Sequence, residues 1–393
     1  MNIAIVGCGY VAEQYAATLP FHPELRLVAA YDTDAGRLAT FARRYQVAAS
    51  PSLRELGANA GVELVLNLTS PRAHYLVTRE CLAAGRHVYS EKPLGMTTDE
   101  ARQLAAMAEQ RNLHLGSAPC SVLSEAAQTL WHAVRSGLAG RVRVVYANFD
   151  DGMIAPHQAP WTWTNDAGVA WPAKDEFEVG STYQHAGYVL TWLCAMFGPV
   201  RRVHAFASVL IPDKGIAVDA MAPDFTVGCL EFDGGIVARV TCGLTAPRDK
   251  SITVVGDTGT LTVGNVRDDA APVMWRPATE QRLASIVRRR LPFAHRWLQA
   301  RLSDAGVSAL FARTVPPRRR ATTASAAPEK PVDFLRGPSE MAEAITARRR
   351  SRVPADSAVH IVEIVERLQY PERFSDRCVQ TAFAPIEPMP WAL

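Results

Sequence analysis

A chain of 393 residues, 48% hydrophobic and 21% charged, has the balance of a soluble globular protein, and its length argues for two domains rather than one core. A formal net charge of +3 sets up no global field for nucleic acid, and no apolar run approaches membrane-spanning length. Seven scattered cysteines without a C-x-x-C pair argue for reduced thiols and against a zinc site, so no metal is expected; a first strand at residue 3 leaves no room for a cleaved leader, and a cytoplasmic protein is expected.

The chain opens on Ile3-Ala4-Ile5-Val6, a short apolar run that reads as a buried strand and breaks at Gly7-Cys8-Gly9-Tyr10-Val11-Ala12 into helix-forming sequence. G-x-G-x-x-A between a strand and a helix is the start of a dinucleotide-binding unit. Gly7 serves the tight turn, Gly9 lets a pyrophosphate approach the backbone, and small Ala12 lets the helix pack on the strand. The phosphates then meet free N–H groups at a helix N-terminus, where the helix dipole favours an anion. A helix from about Glu13 to Leu19 leads to a second apolar strand, Leu25 to Tyr31, which ends in Asp32. An acidic residue about twenty positions past the glycines is placed to bind the ribose hydroxyls of an adenosine. A carboxylate repels a 2′-phosphate, so NAD is the expected cofactor, while Arg37, Arg43 and Arg44 nearby keep NADP open.

Strand and helix go on alternating: a helix from Asp34 to Tyr45, a turn at Ser50-Pro51 with a helix from Ser52, and a strand from Val62 to Leu68. That strand ends in Thr69-Ser70-Pro71-Arg72-Ala73-His74, facing the crevice where a doubly wound sheet binds its cofactor. A helix from Ala73 to Ala84 stops at Gly85, and the strand His87 to Ser90 runs into Glu91-Lys92-Pro93. A charged pair at the end of a buried strand is costly unless satisfied or used, so it either closes the sheet as an ion pair or serves chemistry. The sequence also permits a cis bond before Pro93. A helix from about Thr98 to Arg111 and a strand from Leu113 to Gly116 complete a parallel sheet covered on both faces, a domain of residues 1–120.

The G-x-G-x-x-A start, the Thr69-Ser70-Pro71 segment with His74 three residues on, and the run from Ala84 to Pro93 (A-G-R-H-V-Y-S-E-K-P) together resemble the glucose-fructose oxidoreductase, inositol dehydrogenase and rhizopine-catabolism (Gfo/Idh/MocA) family. The resemblance is specific through about residue 120 and looser, but continuous, to about 365. It implies a Rossmann domain followed by an α+β domain with an open, largely antiparallel sheet. By the same resemblance Thr69, Ser70, Pro71 and His74 lie along the cofactor, Glu91 lies near the nicotinamide, and Lys92 hydrogen-bonds the reacting hydroxyl or carbonyl.

From Ser121 the pattern changes, and residues 121–393 read as the second domain. A helix from Ser124 to Ser136 and a long strand from Val142 to Phe149 lead into a loop holding Trp161, Trp163 and Trp171. Indoles on a loop cover a core or stack on a sugar ring or nicotinamide, and Trp161 and Trp163 are counted as substrate candidates on the second reading. Next comes Gly180 to Tyr188, then an apolar helix to Phe197. In the family a glycine-led helix carries an Asp here and, four residues later, a proton-accepting His. Gly180 and Gly198 fix the register, so Gln184 falls on the Asp position and Tyr188 on the His position. The tyrosine is similar to the glucose-fructose oxidoreductase branch; the missing carboxylate is a departure. Gln184 and Tyr188, four apart, share a helical face, with His185 about 100° around it. A tyrosine of pKa ~10 needs a cation to act as a base near neutrality, and Lys92 is a candidate. His185 has the better unperturbed pKa and is the alternative proton carrier, or a polar residue satisfied at a domain interface.

Strands follow at 201–210, 225–232, 236–244, 251–255 and 260–263, with turn sequences at Asp233-Gly234-Gly235 and Asp257-Thr258-Gly259 predicting antiparallel hairpins. One face of such a sheet is left for a homodimer or homotetramer, as is common in the family. Residues 276–330 hold eleven arginines and one lysine against Glu280, Asp304 and Glu329, interleaved with apolar residues. The segment reads as a basic amphipathic insertion that covers the sheet, contacts an anionic membrane surface, or binds a polyanionic substrate. Helices from Asp333 to Arg348 and from Ala355 to Leu368 close the chain. The whole predicts an NAD(P)-dependent dehydrogenase or reductase that passes hydride between nicotinamide and a secondary alcohol or ketone of a sugar, cyclitol or nucleotide-sugar. The competing reading is a non-catalytic NAD-binding sensor or scaffold, favoured by Gln184 and opposed by Lys92.

Overall fold

The computed structural model describes residues 1–245, 247–278, 289–290, 293, 312–319 and 332–393. Most of the basic segment 276–330, and the membrane or partner contact expected of it, lies outside them. Among the described residues no helix is long and apolar enough to cross a membrane.

Six strands, β1 (Asn2–Val6), β2 (Arg26–Tyr31), β3 (Ala48–Ala49), β4 (Leu64–Asn67), β5 (His87–Ser90) and β6 (Leu115–Ser117), pair in parallel in the order β3-β2-β1-β4-β5-β6. Helices α1 (Tyr10–Thr18), α2 (Ala35–Tyr45), α3 (Leu53–Ala58), α4 (His74–Ala83) and α5 (Thr98–Gln110) connect them. The first apolar run is continuous rather than alternating because β1 is covered on both faces: Ile3, Ala4, Ile5 and Val6 are all fully buried. The strand order reverses between β1 and β4, and that switch point brings Gly7, Asp32, Thr69 and Glu91 to the carboxyl edge of one sheet.

After β6 the chain leaves this sheet through α6 (Glu125–Arg135) and enters a second one at β7 (Val142–Asp150). Three helices follow, α7 (Ala173–Val179), α8 (Ser181–His185) and α9 (Gly187–Phe197), and then β8 (Val200–Ser208), β9 (Phe225–Phe232), β10 (Val237–Gly243), β11 (Ile252–Gly256), β12 (Gly259–Val263), β13 (Val273–Pro277) and β14 (Arg313–Thr314). They order as β14-β13-β12-β11-β7-β10-β9-β8, antiparallel except where β10 runs parallel to β7. Both expected hairpins form, β9 with β10 and β11 with β12.

Two expectations are adjusted. The helix read as continuous to Phe197 divides at Ala186 into α8 and α9. β13 and β14 extend the sheet where the sequence showed only the edge of a basic segment. The chain closes with α10 (Arg336–Thr346) and α11 (Ala355–Gln369). α11 joins the halves: Glu366 accepts from both the backbone N–H and the hydroxyl of Thr98 at the start of α5 (3.0 and 2.7 Å), while His360 Nε2 accepts from Val200 N at the start of β8 (2.9 Å). All seven cysteines are free thiols.

Candidate functional site

The glycine turn has the shape a dinucleotide needs. Gly7 sits at φ +91°, and a Cβ there would lie 2.7 Å from the backbone of Leu68, so only glycine fits. Gly9 faces open space, and α1 starts after it with no side-chain cap, which leaves its first N–H groups for an anion. Ala12 is fully buried under the strand. These features fit a pyrophosphate laid across Gly9, Tyr10 and Val11, while the Cys8 N–H is given to Asp32.

Asp32 stands at the end of β2 as expected. Its carboxylate accepts from Cys8 N and Asp34 N, both at 2.7 Å, and Arg37 Nη2 lies 3.3 Å away. The acid is thus held rigidly at the rim of the glycine turn with a cation beside it. His74 is buried at the start of α4 between the carbonyls of Pro93 (2.6 Å from Nδ1) and Thr69 (2.9 Å from Nε2), to one of which the neutral ring donates. Burial holds its pKa below the ordinary value, against the pull of those two carbonyls.

Glu91 is buried and satisfied, accepting from the Tyr15 hydroxyl at 2.7 Å and from Lys92 N at 3.0 Å. It therefore does not close an ion pair with its neighbour, and the bond between Lys92 and Pro93 is cis. The Lys92 side chain instead donates to Gln184 Oε1 at 2.9 Å, across from β5 to α8. Residues 92 positions apart thus meet, one just past the carboxyl end of β5 and the other on α8.

Tyr188 lies nearby on α9, largely buried, its ring stacked on Phe149 at 5.1 Å. Among the described residues its hydroxyl has no hydrogen-bond partner. Burial pushes the phenol up to about 12, and the charge that opposes this most is Arg267, whose guanidinium lies 5.1 Å from the ring centre. The cation beside the tyrosine is thus Arg267 rather than the Lys92 anticipated from sequence.

His185 lies between two carboxylates: Asp151 Oδ2 is 3.4 Å from Nδ1 and Glu176 Oε1 is 3.3 Å from Nε2. Lys250 forms an ion pair with Asp151 and lies over the Phe149 ring. Asp151, Glu176, Lys250 and Arg267 were missed in the sequence. Each comes from a different segment and reads there as an ordinary surface charge; the one available signal was the doubled acid Asp150-Asp151 at the end of an apolar strand.

The loop indoles behave otherwise. Trp161 packs over Gly215, and Trp163 stacks on Trp171 at 5.3 Å and donates to Gln158 O at 3.2 Å. All three cover a small satellite core of Ile154, Ala155, Ala173, Phe177 and Leu244. The arrangement gives Trp161 and Trp163 the core-covering role.

Residues 1–118 match the family model described as "Oxidoreductase family, NAD-binding Rossmann fold", and residues 127–262 match the "GFO/IDH/MocA C-terminal domain". Trans-1,2-dihydrobenzene-1,2-diol dehydrogenase of Sus scrofa is 27% identical over 263 residues, covering 65% of this chain and 71% of that protein. Among solved structures, the WlbA dehydrogenase from Bordetella pertussis in complex with NADH and UDP-GlcNAcA aligns with a TM-score of 0.68 at 17% identity, covering 96% of this chain and 97% of the other. The aldose-aldose oxidoreductase from Caulobacter crescentus complexed with glycerol aligns with a TM-score of 0.69 at 19% identity, covering 95% and 97%. At these identities the two structures show a shared fold.

Proposed function

Since this chain belongs to the GFO/IDH/MocA family of NAD-binding oxidoreductases, we propose that it is a dehydrogenase that moves a hydride between NAD(H) and a secondary alcohol or ketone of a sugar, cyclitol or nucleotide-sugar. The observation that carries this reading is the approach of Lys92 and Gln184 to 2.9 Å, with Tyr188 on the next helix, at the carboxyl edge of the nucleotide-binding sheet. Bound there, the nicotinamide supplies the hydride acceptor or donor. Lys92 then holds and polarises the substrate oxygen, and Gln184 fixes the direction of the ammonium. Tyr188 handles the hydroxyl proton, since among the described residues its hydroxyl has no hydrogen-bond partner, whereas both nitrogens of His185 face carboxylates. The fixed carboxylate of Asp32 favours NADH over NADPH.

A second reading, an NAD-binding sensor without turnover, draws on one observation: the family's carboxylate position is the amide Gln184. A spectrophotometric screen separates the two. D-Glucose, myo-inositol, trans-1,2-dihydrobenzene-1,2-diol and UDP-GlcNAcA, each offered with NAD⁺, report NADH formation directly. Turnover of one of them supports the dehydrogenase; tight NADH binding with no turnover of any favours the sensor.

A further inference from the structure

With Lys92 and Tyr188 read as the reacting end of the site, Gln184 leaves a chemical gap, because an amide takes up no proton where the family pattern has a carboxylate. Lys92, which Gln184 holds, also acts by its charge on a buried cluster of three titratable groups, Glu176, His185 and Asp151. Glu176, from α7, is buried, and its Oε1 has no hydrogen-bond partner among the described residues although it lies 3.3 Å from His185 Nε2. On the other side of the ring Asp151 faces Nδ1 at 3.4 Å and is itself anchored by Lys250. Among the described residues Nδ1 makes no hydrogen bond with Asp151, so either ring nitrogen is free to carry the proton of the neutral imidazole. Phe149, stacked at 4.9 Å, keeps the ring in that plane.

We propose that Glu176 and His185 form a buried carboxyl–imidazole pair that stores the reaction's proton and supplies the carboxylate function that Gln184 lacks. In alcohol oxidation the substrate O–H bond breaks and its electron pair becomes the second bond of the carbonyl, as hydride leaves the carbon for the nicotinamide. The proton released from the substrate hydroxyl ends as a new O–H bond on the Glu176 carboxylate, whose Oε1 lies 3.3 Å from His185 Nε2. Ketone reduction runs the same transfer backwards. The groups facing the pair assign its charges. Burial, opposed chiefly by Lys92 and reinforced by Asp151, with Lys250 and Arg267 pulling the other way, pushes Glu176 up to about 8. Burial takes His185 down to about 3 against the pull of Asp151, so the imidazole stays neutral and the carboxyl is the member that changes charge. Burial also opposes the charge of Asp151, while its ion pair with Lys250 favours that charge. Glu176 acts through other side chains and is a positioning residue.

The inference rests on the proposed dehydrogenase chemistry, so its test has one arm independent of turnover. Infrared difference titration of the protein alone should show a buried carboxylic-acid C=O band that disappears as pH rises through about 8 and is absent from Glu176→Gln. The second arm uses the substrate selected by the screen. The rise of kcat/KM for oxidation toward a plateau near pH 8 should vanish in Glu176→Gln, with roughly 10²-fold lower activity, and return when Gln184→Asp is added to that variant. NADH affinity, unchanged in both variants, shows that they are folded. A band that persists in Glu176→Gln, or no band titrating in this window, overturns the proposal. So does an unchanged pH profile in an active Glu176→Gln enzyme. If no compound is turned over, the dehydrogenase reading fails by itself, while the infrared arm still decides whether the buried pair holds a proton.

Discussion

Gly7 has no space for even one methyl group, because its positive φ aims a Cβ at the Leu68 carbonyl 2.7 Å away. Gly7→Ala should cost at least about 2 kcal/mol by overpacking and abolish NADH binding, which thermal unfolding and fluorescence titration will show. Asp32 acts through charge: Asp32→Ala should narrow the preference for NADH over NADPH, and equal affinities in the unmodified protein would remove that argument. At the other end of the site the choice between proton carriers is also a question of single side chains. Tyr188→Phe should lower turnover by roughly 10²- to 10⁴-fold, the usual worth of a positioned acid or base. His185→Ala should do less, because its ring touches carboxylates rather than open space. A fully active Tyr188→Phe beside an inactive His185→Ala would reverse the assignment.

At the level of elements, the first sheet was legible because each strand is a local signal, an apolar run bounded by glycine, proline or a charge. Gly7, Asp32, Thr69 and Lys92 accordingly stand at the carboxyl ends of those strands, where the sequence puts them. The second half was legible in its hairpins, whose turns are also local. What escaped was whatever depends on how separate elements meet. Ala186 divides α8 from α9, and nothing in the apolar sequence of that stretch marks the break. Glu176 points inward from a short helix rich in charge, a fate settled by packing and not by periodicity. Its burial has a thermodynamic consequence of definite sign. The folded chain keeps this proton up to about 8, whereas an unfolded glutamate releases it near 4.5, so this group's contribution to stability is full below 4.5 and is lost as pH rises to about 8. His185, lowered to about 3, works in the opposite sense, stabilising above its ordinary value of 6.5 and losing that contribution as pH falls toward 3. Glu176→Gln should therefore flatten the decline of Tm between pH 4.5 and 8, and an identical decline in both proteins would show that another group causes it.

Across the whole molecule, the proposed site belongs to neither sheet alone. The nucleotide-binding sheet contributes Lys92 and the glycine turn, while the second half contributes Gln184, Tyr188, Arg267 and the buried acids, and α11 holds the two together through Glu366 and His360. Separating cofactor binding from chemistry follows from this division, since Lys92 stands where the two meet and the glycine turn stands apart from it. Lys92→Met keeps much of the side chain's length and apolar volume and removes the donor and charge. The deciding measurement is NADH formation by wild-type and Lys92→Met protein with the screened substrate, alongside NADH binding by fluorescence. The account predicts unchanged NADH affinity and no detectable turnover in the variant; a Lys92→Met enzyme that still turns over at the wild-type rate would contradict it.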